Sequence, residues 1–224
     1  MKIKALKRNA KESLKGNWGK AILAGIIYGI SQGVMQGFFN GVANFLSLGQ
    51  IFTDNADQLP VVPQIVVLLF TTFFSAVLSY GMIRYYLKLI RGEEKSYSDL
   101  FYYLRSGEQF IRAGITGILV FIFTLLWTLL LIVPGIIKGL SYMLVPFILN
   151  DFPELKPLEA ITLSRRMMDG FKGKAFLLGL SFILWGLLIV FTFGLALFYV
   201  GPYYQATFAQ FYEEVKSKYE ERVL

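Results

Sequence analysis

Long apolar blocks dominate the chain, and shorter segments rich in Lys and Arg separate them. An α-helix rises 1.5 Å per residue, so about 20 apolar residues cross the hydrocarbon of a bilayer. The pattern predicts one all-α, polytopic membrane domain over residues 1–224. Its six predicted crossings lie at about residues 20–41, 61–82, 112–133, 135–149, 174–193 and 195–212. We expect Pro134-Gly135 to break the helix between the third and fourth crossings, and Pro146 to kink the fourth.

Amphipathic segments between the crossings are expected to lie along the membrane surface. In residues 2–18, apolar positions recur at steps of three and four while Lys and Arg fill the other side, a pattern typical of an interfacial helix. A cleaved signal peptide is the alternative, but a small-residue cleavage site is lacking. Ser96-Tyr97-Ser98-Asp99 predicts a capped short helix within residues 92–111. Residues 151–170 predict another amphipathic helix, and residues 213–224 a charged helical tail.

The basic residues fall almost entirely in four of these segments. Of the 22 Lys and Arg, 21 lie in residues 2–20, 84–112, 156–174 and 216–222, and Lys138 lies apart in the predicted outer half. Six crossings place all four segments on one side, which the positive-inside rule makes the cytoplasm. Both termini are therefore expected there. The net charge of +7 is then explained without nucleic acid as a partner.

An internal repeat accompanies this layout. Residues 16–25 and 170–179 share six of ten positions, and the chain reads as three copies of one unit. Each unit is an interfacial helix followed by a crossing out, a turn and a crossing back. We therefore expect three helical hairpins with their interfacial helices on the cytoplasmic side.

The first crossing carries a glycine zipper, a glycine at every fourth position. Its members are Gly25, Gly29, Gly33, Gly37 and Gly41. Small residues allow close helix approach in membranes, so the row predicts a helix-packing seam. A seam within the chain is favoured over a homo-oligomer interface, and both are favoured over the wall of a permeation path.

A row of amides follows the same helix. Its members are Gln32, Gln36, Asn40 and Asn44. Amides in hydrocarbon need partners or water. Hydrogen bonding between helices is the favoured interpretation, and a hydrated polar groove that binds or conducts a solute is the alternative.

Five cations are candidate contacts for lipid headgroups: Lys138, Arg165, Arg166, Lys172 and Lys174. Lys138 could equally snorkel to the outer headgroups, and the others could be ordinary inside-positive charge. The chain has no Cys and no His, and its carboxylates are irregularly spaced. The sequence therefore predicts no metal site, no cofactor and no catalytic residue.

Several motifs together resemble a known family. They are Val133-Pro134-Gly135-Ile136-Ile137-Lys138, Pro153-Glu154-Leu155, Ser164-Arg165-Arg166-Met167-Met168, Lys15-Gly16-Asn17-Trp18 and Pro202-Tyr203-Tyr204. Over nearly the whole chain this resembles the bacterial integral-membrane family called domain of unknown function 975. The chain is more distantly similar to the membrane domain of some glycerophosphodiester phosphodiesterases. The resemblance implies a bacterial cytoplasmic-membrane protein and brings no established activity.

The function predicted from these features is non-enzymatic. We expect the protein to bind membrane lipids, anionic ones on the cytoplasmic side, or to stabilise a membrane assembly as a homo-oligomer or with a membrane-protein partner. The alternative function is a small transporter or channel that uses the polar groove along the first crossing. An intramembrane enzyme ranks last.

Overall fold

The computed structural model describes residues 2–51 and 61–223, and the side chains of residues 2–45 and 64–222. Within these ranges every regular element is a helix. The elements are α1 (Ile3–Leu14), α2 (Trp18–Ile51), α3 (Val61–Arg91), a 3-10 helix (Tyr97–Leu104), α4 (Gly107–Leu130), α5 (Ile132–Tyr142), α6 (Val145–Asp151), α7 (Pro157–Met167), α8 (Lys172–Leu180), α9 (Ile183–Phe191) and α10 (Leu197–Val223). Most of the predicted loop between the first two crossings, residues 52–60, lies outside the described part.

Five described segments have the length and apolarity of membrane spans. They are Trp18–Phe45, Gln64–Arg91, Gly107–Leu130, Ile132–Asp151 and Lys172–Phe191. Each of the first five predicted crossings overlaps one of them. The sixth, residues 195–212, overlaps the first part of α10, which is not one of the five. The chain is thus an all-helical protein with five apolar segments suited to a membrane.

The buried side chains concentrate at one end of the molecule. Contacts join α1, α10, the second half of α3, the 3-10 helix, α6 and α7, and this base includes the fully buried Tyr85, Tyr103 and Tyr212. The apolar helices extend from the base with large side chains exposed, and α9 buries none of its residues. This distribution fits helices whose outer surfaces meet lipid.

The predicted amphipathic helix at the N-terminus is present as α1. Its apolar positions Leu6, Ala10 and Leu14 are buried. It packs mainly on α10 and also on α3, so it belongs to the base.

The predicted break at Pro134-Gly135 is wrong by three residues. The break lies at Leu131, whose backbone is extended, and Pro134 stands in the first turn of α5. A proline there costs little because the first-turn N–H groups have no partner within the helix.

The predicted kink at Pro146 is a helix break one turn earlier. Helix α5 ends at Tyr142 and α6 begins at Val145, with Pro146 in its first turn. Proline offers no N–H to the carbonyl of the residue four positions earlier, which is Tyr142. The continuous α-helix therefore stops there.

Candidate functional site

The glycine row does not form a seam inside the chain. A Cβ added to any of its five members would meet nothing within 4 Å outside its own helix, and all but Gly25 are exposed. The structure therefore contradicts the expected packing seam within the chain, because the neighbouring described helices lie too far from these glycines for contact. An interface between copies stays a prediction.

Other glycines hold the close helix contacts. A Cβ on Gly81 would lie 1.9 Å from the backbone oxygen of Leu100, and one on Gly114 would lie 2.1 Å from the ring of Phe73. A Cβ on Gly117 would lie 2.1 Å from the Cβ of Ala76. The tight packing of α3 against α4 and the 3-10 helix thus depends on glycines that have no four-residue repeat.

The four amides of α2 separate into two groups. Gln32 donates to the hydroxyl of Tyr28 at 2.9 Å and accepts from the hydroxyl of Ser75 on α3 at 3.2 Å. Gln36, Asn40 and Asn44 are exposed. Gln32 therefore joins two helices, as the favoured interpretation expects. None of the four lines the groove described below.

The structure brings three of the five candidate cations together. Arg165 of α7 and Lys172 of α8 lie close enough to act electrostatically on Lys138 of α5, whose ammonium also lies 4.5 Å from the ring centroid of Trp127. Lys138 was expected to stand apart on the outer half. It instead joins a basic cluster, defined here as Lys138, Arg165 and Lys172. The one acidic neighbour described for this cluster is the exposed Asp169, 3.9 Å from Lys172.

The other two candidate cations are Lys174 and Arg166. Lys174 lies over the ring of Phe171 with its ammonium 5.4 Å from the centroid, and Arg222 of α10 approaches the same ring at 4.8 Å. Arg166 is exposed. These residues place further positive charge on the surface of the base.

An ionic cluster joins the C-terminal ends of α3 and α6 to the middle of α10. Arg91 at the end of α3 donates to both carboxylate oxygens of Asp151 at 2.8 and 2.7 Å, and also to Glu213 of α10. Lys216 and the hydroxyl of Tyr212 donate to Asp151 as well, at 2.7 and 2.9 Å. The carboxylate of Asp151 is only 6% exposed, so its charge depends on these partners. Sequence reasoning missed this cluster because its members are distant along the chain.

A second ionic contact fixes the 3-10 helix to α3. Ser96 and Asp99 form the predicted capping box, and Asp99 also accepts from Lys88 at 2.9 Å and lies 3.6 Å from Arg84. Burial raises the pKa of Asp99, but the Ser96 N–H, the Lys88 ammonium and the charge of Arg84 together bring the pKa below its usual value. Asp99 is therefore a structural carboxylate.

An apolar groove that the sequence pattern did not reveal lies between α2, α3, α8, α9 and α10. The groove has a volume of about 800 Å³, within the range of ligand sites. Five glycines line it: Gly25, Gly29, Gly179, Gly186 and Gly201. The lining residues that carry polar groups are Gln205, Tyr28, Tyr86 and Tyr204.

Comparison with known proteins agrees with the resemblance. No curated protein and no solved structure matches the chain significantly. The sequence profile of a family described as "Protein of unknown function (DUF975)" matches residues 1–138 and 129–219. Because these two matches together extend over nearly the whole chain, the protein belongs to the DUF975 family.

Proposed function

We propose that this protein is a non-enzymatic integral membrane protein that binds anionic lipid on its cytoplasmic side. The observation that supports this function is the basic cluster, where cations from α5, α7 and α8 converge beside an exposed aromatic side chain. Like charges repel, so an anion that enters such a cluster stabilises it. Lipid phosphate is the anion that a cation on an apolar helix meets in a membrane.

Six crossings with both termini in the cytoplasm complete the proposal. Aromatic contacts between Trp185 and Tyr203, and between Phe182 and Phe208, fit a first half of α10 that runs back along α8 and α9. The ionic cluster joins the C-terminal ends of α3 and α6 to α10 at Glu213. Three returning helices that meet at one side fit three hairpins in the bacterial cytoplasmic membrane.

The absence of enzymatic activity is proposed from the chain's composition. It contains no His and no Cys, the commonest proton shuttle and the strongest side-chain nucleophile. Turnover of a lipid substrate by the purified protein would contradict this part.

Native mass spectrometry from lipid nanodiscs tests the lipid-binding function. The nanodiscs contain equal amounts of phosphatidylglycerol and phosphatidylcholine, and the retained lipids are counted for each protein mass. We expect the wild type to retain phosphatidylglycerol preferentially. In the triple variant Lys138→Gln, Arg165→Gln, Lys172→Gln, the ratio of retained phosphatidylglycerol to phosphatidylcholine should fall by about tenfold or more. Each cation near anionic lipid contributes about 1 kcal/mol.

A matched control removes three other cations. Lys4, Arg8 and Lys20 are exposed and lie in the basic N-terminal segment, so their change to Gln removes equal charge away from the cluster. The proposal fails if this control and the triple variant lose the preference equally. The same spectra report whether a homo-oligomer forms.

A further inference from the structure

The apolar groove offers little to hold water. Its walls are formed by α2, α3, α8, α9 and α10, and apolar side chains such as Ile26, Ile183 and Leu197 dominate them. Water in a cavity needs two to four polar partners, and such walls supply few. Most of the lining lies in the spans Trp18–Phe45 and Lys172–Phe191, so hydrocarbon chains are the material that surrounds it.

The lining glycines keep this space open. A Cβ on Gly25, Gly29, Gly179, Gly186 or Gly201 would meet nothing within 4 Å outside its own helix. These glycines therefore do not serve close helix contact. Each larger side chain would instead occupy part of the groove.

Two cations lie beside the groove without a described carboxylate partner. The ammonium of Lys7 donates to the carbonyl of Ser181 at 3.0 Å and lies 4.1 Å from the ring centroid of Phe182, which lines the groove. The ammonium of Lys11 lies 5.2 Å from the ring centroid of Tyr203, and the centroid of that ring lies 5.3 Å from that of Phe182. Burial, and then the charge of Lys11, lower the pKa of Lys7. The negative charge of a bound anion would raise this pKa and so oppose both effects.

We infer that the groove holds one acyl chain of an anionic phospholipid whose phosphate contacts Lys7 and Lys11. An acyl chain gains no hydrophobic free energy when it moves from the bilayer into an apolar groove, because both surroundings are hydrocarbon. The headgroup contacts therefore supply the selectivity, about fivefold for each lysine. This inference rests on the proposed function in taking lipid as the ligand, but the groove and the basic cluster share no residue.

The first test removes the two lysines. In nanodiscs with equal phosphatidylglycerol and phosphatidylcholine, Lys7→Gln with Lys11→Gln should lower the ratio of retained phosphatidylglycerol to phosphatidylcholine by about tenfold or more. The matched control, Lys4→Gln with Arg8→Gln, removes two exposed cations of the same helix with the same spacing. The control should leave the ratio within about twofold of wild type.

The second test fills the groove. Gly29→Leu places a side chain in the groove, whereas Gly33→Leu makes the same change one turn further along α2, outside its lining. Both positions are open, so both variants should fold. We expect Gly29→Leu to retain about one lipid fewer per protein, and Gly33→Leu to match the wild type.

Both tests have to succeed. Equal ratios for the two double variants, or equal lipid counts for the two leucine variants, overturn the inference. A lipid preference that depends on Lys138, Arg165 and Lys172 but not on Lys7 and Lys11 contradicts lipid binding in the groove alone. The reverse result contradicts lipid binding at the basic cluster and supports lipid binding in the groove. A wild type without any preference contradicts both.

Discussion

At the scale of single residues, the importance of a glycine depends on what lies opposite it. The row that begins at Gly25 has the regular spacing of a packing seam, yet open space faces it. Gly81 has no such spacing, and the backbone of the 3-10 helix lies directly against it. Spacing along a helix identifies a face, but only the fold decides which faces meet.

Gly81→Ala should therefore destabilise the protein strongly. The new Cβ would lie 1.9 Å from the carbonyl oxygen of Leu100, and a backbone atom cannot move aside as a flexible side chain can. Overpacking of this kind costs about 1–3 kcal/mol or more. The measurement is thermal unfolding in detergent. Gly37→Ala is the control, and because alanine is the better helix former it should be neutral or slightly stabilising. Equal melting temperatures for the two variants would contradict the close contact.

Asp99 makes part of the stability dependent on pH. Its carboxylate is 7% exposed and is held by Lys88, Arg84 and Ser96, so its folded pKa lies below the unfolded value of about 3.9. A lowered folded pKa contributes stability that is present above the unfolded pKa and is lost as pH falls through the folded pKa. Asp99→Asn should cost about 2 kcal/mol at pH 7.

The check on Asp99 compares the two proteins across pH. Unfolding in detergent is measured at pH 7 and at about pH 3 for wild type and Asp99→Asn. The difference in melting temperature should shrink at the lower pH, because Asp99 of the unfolded wild type takes up a proton there and the folded state is favoured less. A difference that is unchanged with pH would contradict the ionic role of Asp99.

At the scale of elements, the apolar pattern predicted the helices well and their interruptions less well. Block length alone located the spans, because hydrocarbon leaves no backbone group unpaired and so enforces helix. The prolines marked the breaks near 131 and 144 only approximately, since a proline acts on the turn before it. The capping box at Ser96 was readable from four residues because all its contacts are local.

Contacts between distant segments could not be predicted from the pattern. Arg91, Asp151 and Glu213 each look like ordinary charges at the end of an apolar block. Only the folded chain brings them within hydrogen-bonding distance. The groove could not be predicted for the same reason, because the five helices that line it include segments that are distant along the chain.

The ionic cluster should respond unequally to loss of its two carboxylates. Asp151 is 6% exposed and accepts from Arg91, Lys216 and Tyr212, so Asp151→Asn leaves the partly buried Lys216 without a described counter-charge and Arg91 with Glu213 alone. We expect a cost of about 3 kcal/mol. Glu213 is 34% exposed with Arg91 as its described partner, so Glu213→Gln should cost about 1 kcal/mol or less. Thermal unfolding in detergent measures both, and an equal loss would contradict the central position of Asp151.

At the scale of the whole molecule, the number of crossings decides where everything else lies. Five described segments have the composition of spans, and a sixth crossing depends on the first half of α10. With six, α1, the basic cluster and the tail all face the cytoplasm, as the distribution of Lys and Arg requires. With five, the tail and the residues of α10 beside it would lie on the opposite side from α1.

Contacts within the base fit the proposed six crossings better than five. Ser13 of α1 accepts from Gln210 of α10 at 3.2 Å, and α1 packs along α10. Such contacts are expected where both helices lie on the same side of a membrane. Membrane thickness leaves no room for such contacts between opposite surfaces.

Cysteine labelling can measure this topology without interference, because the chain contains no Cys. Single variants Ser217→Cys in the tail and Leu195→Cys at the turn before α10 both place the thiol at an exposed position. Intact cells are treated with a maleimide that cannot cross the membrane, and the label is then counted on the purified protein. Six crossings predict label at position 195 and none at position 217 until the cells are opened. Label at position 217 in intact cells would contradict the sixth crossing and the proposed cytoplasmic location of the C-terminus.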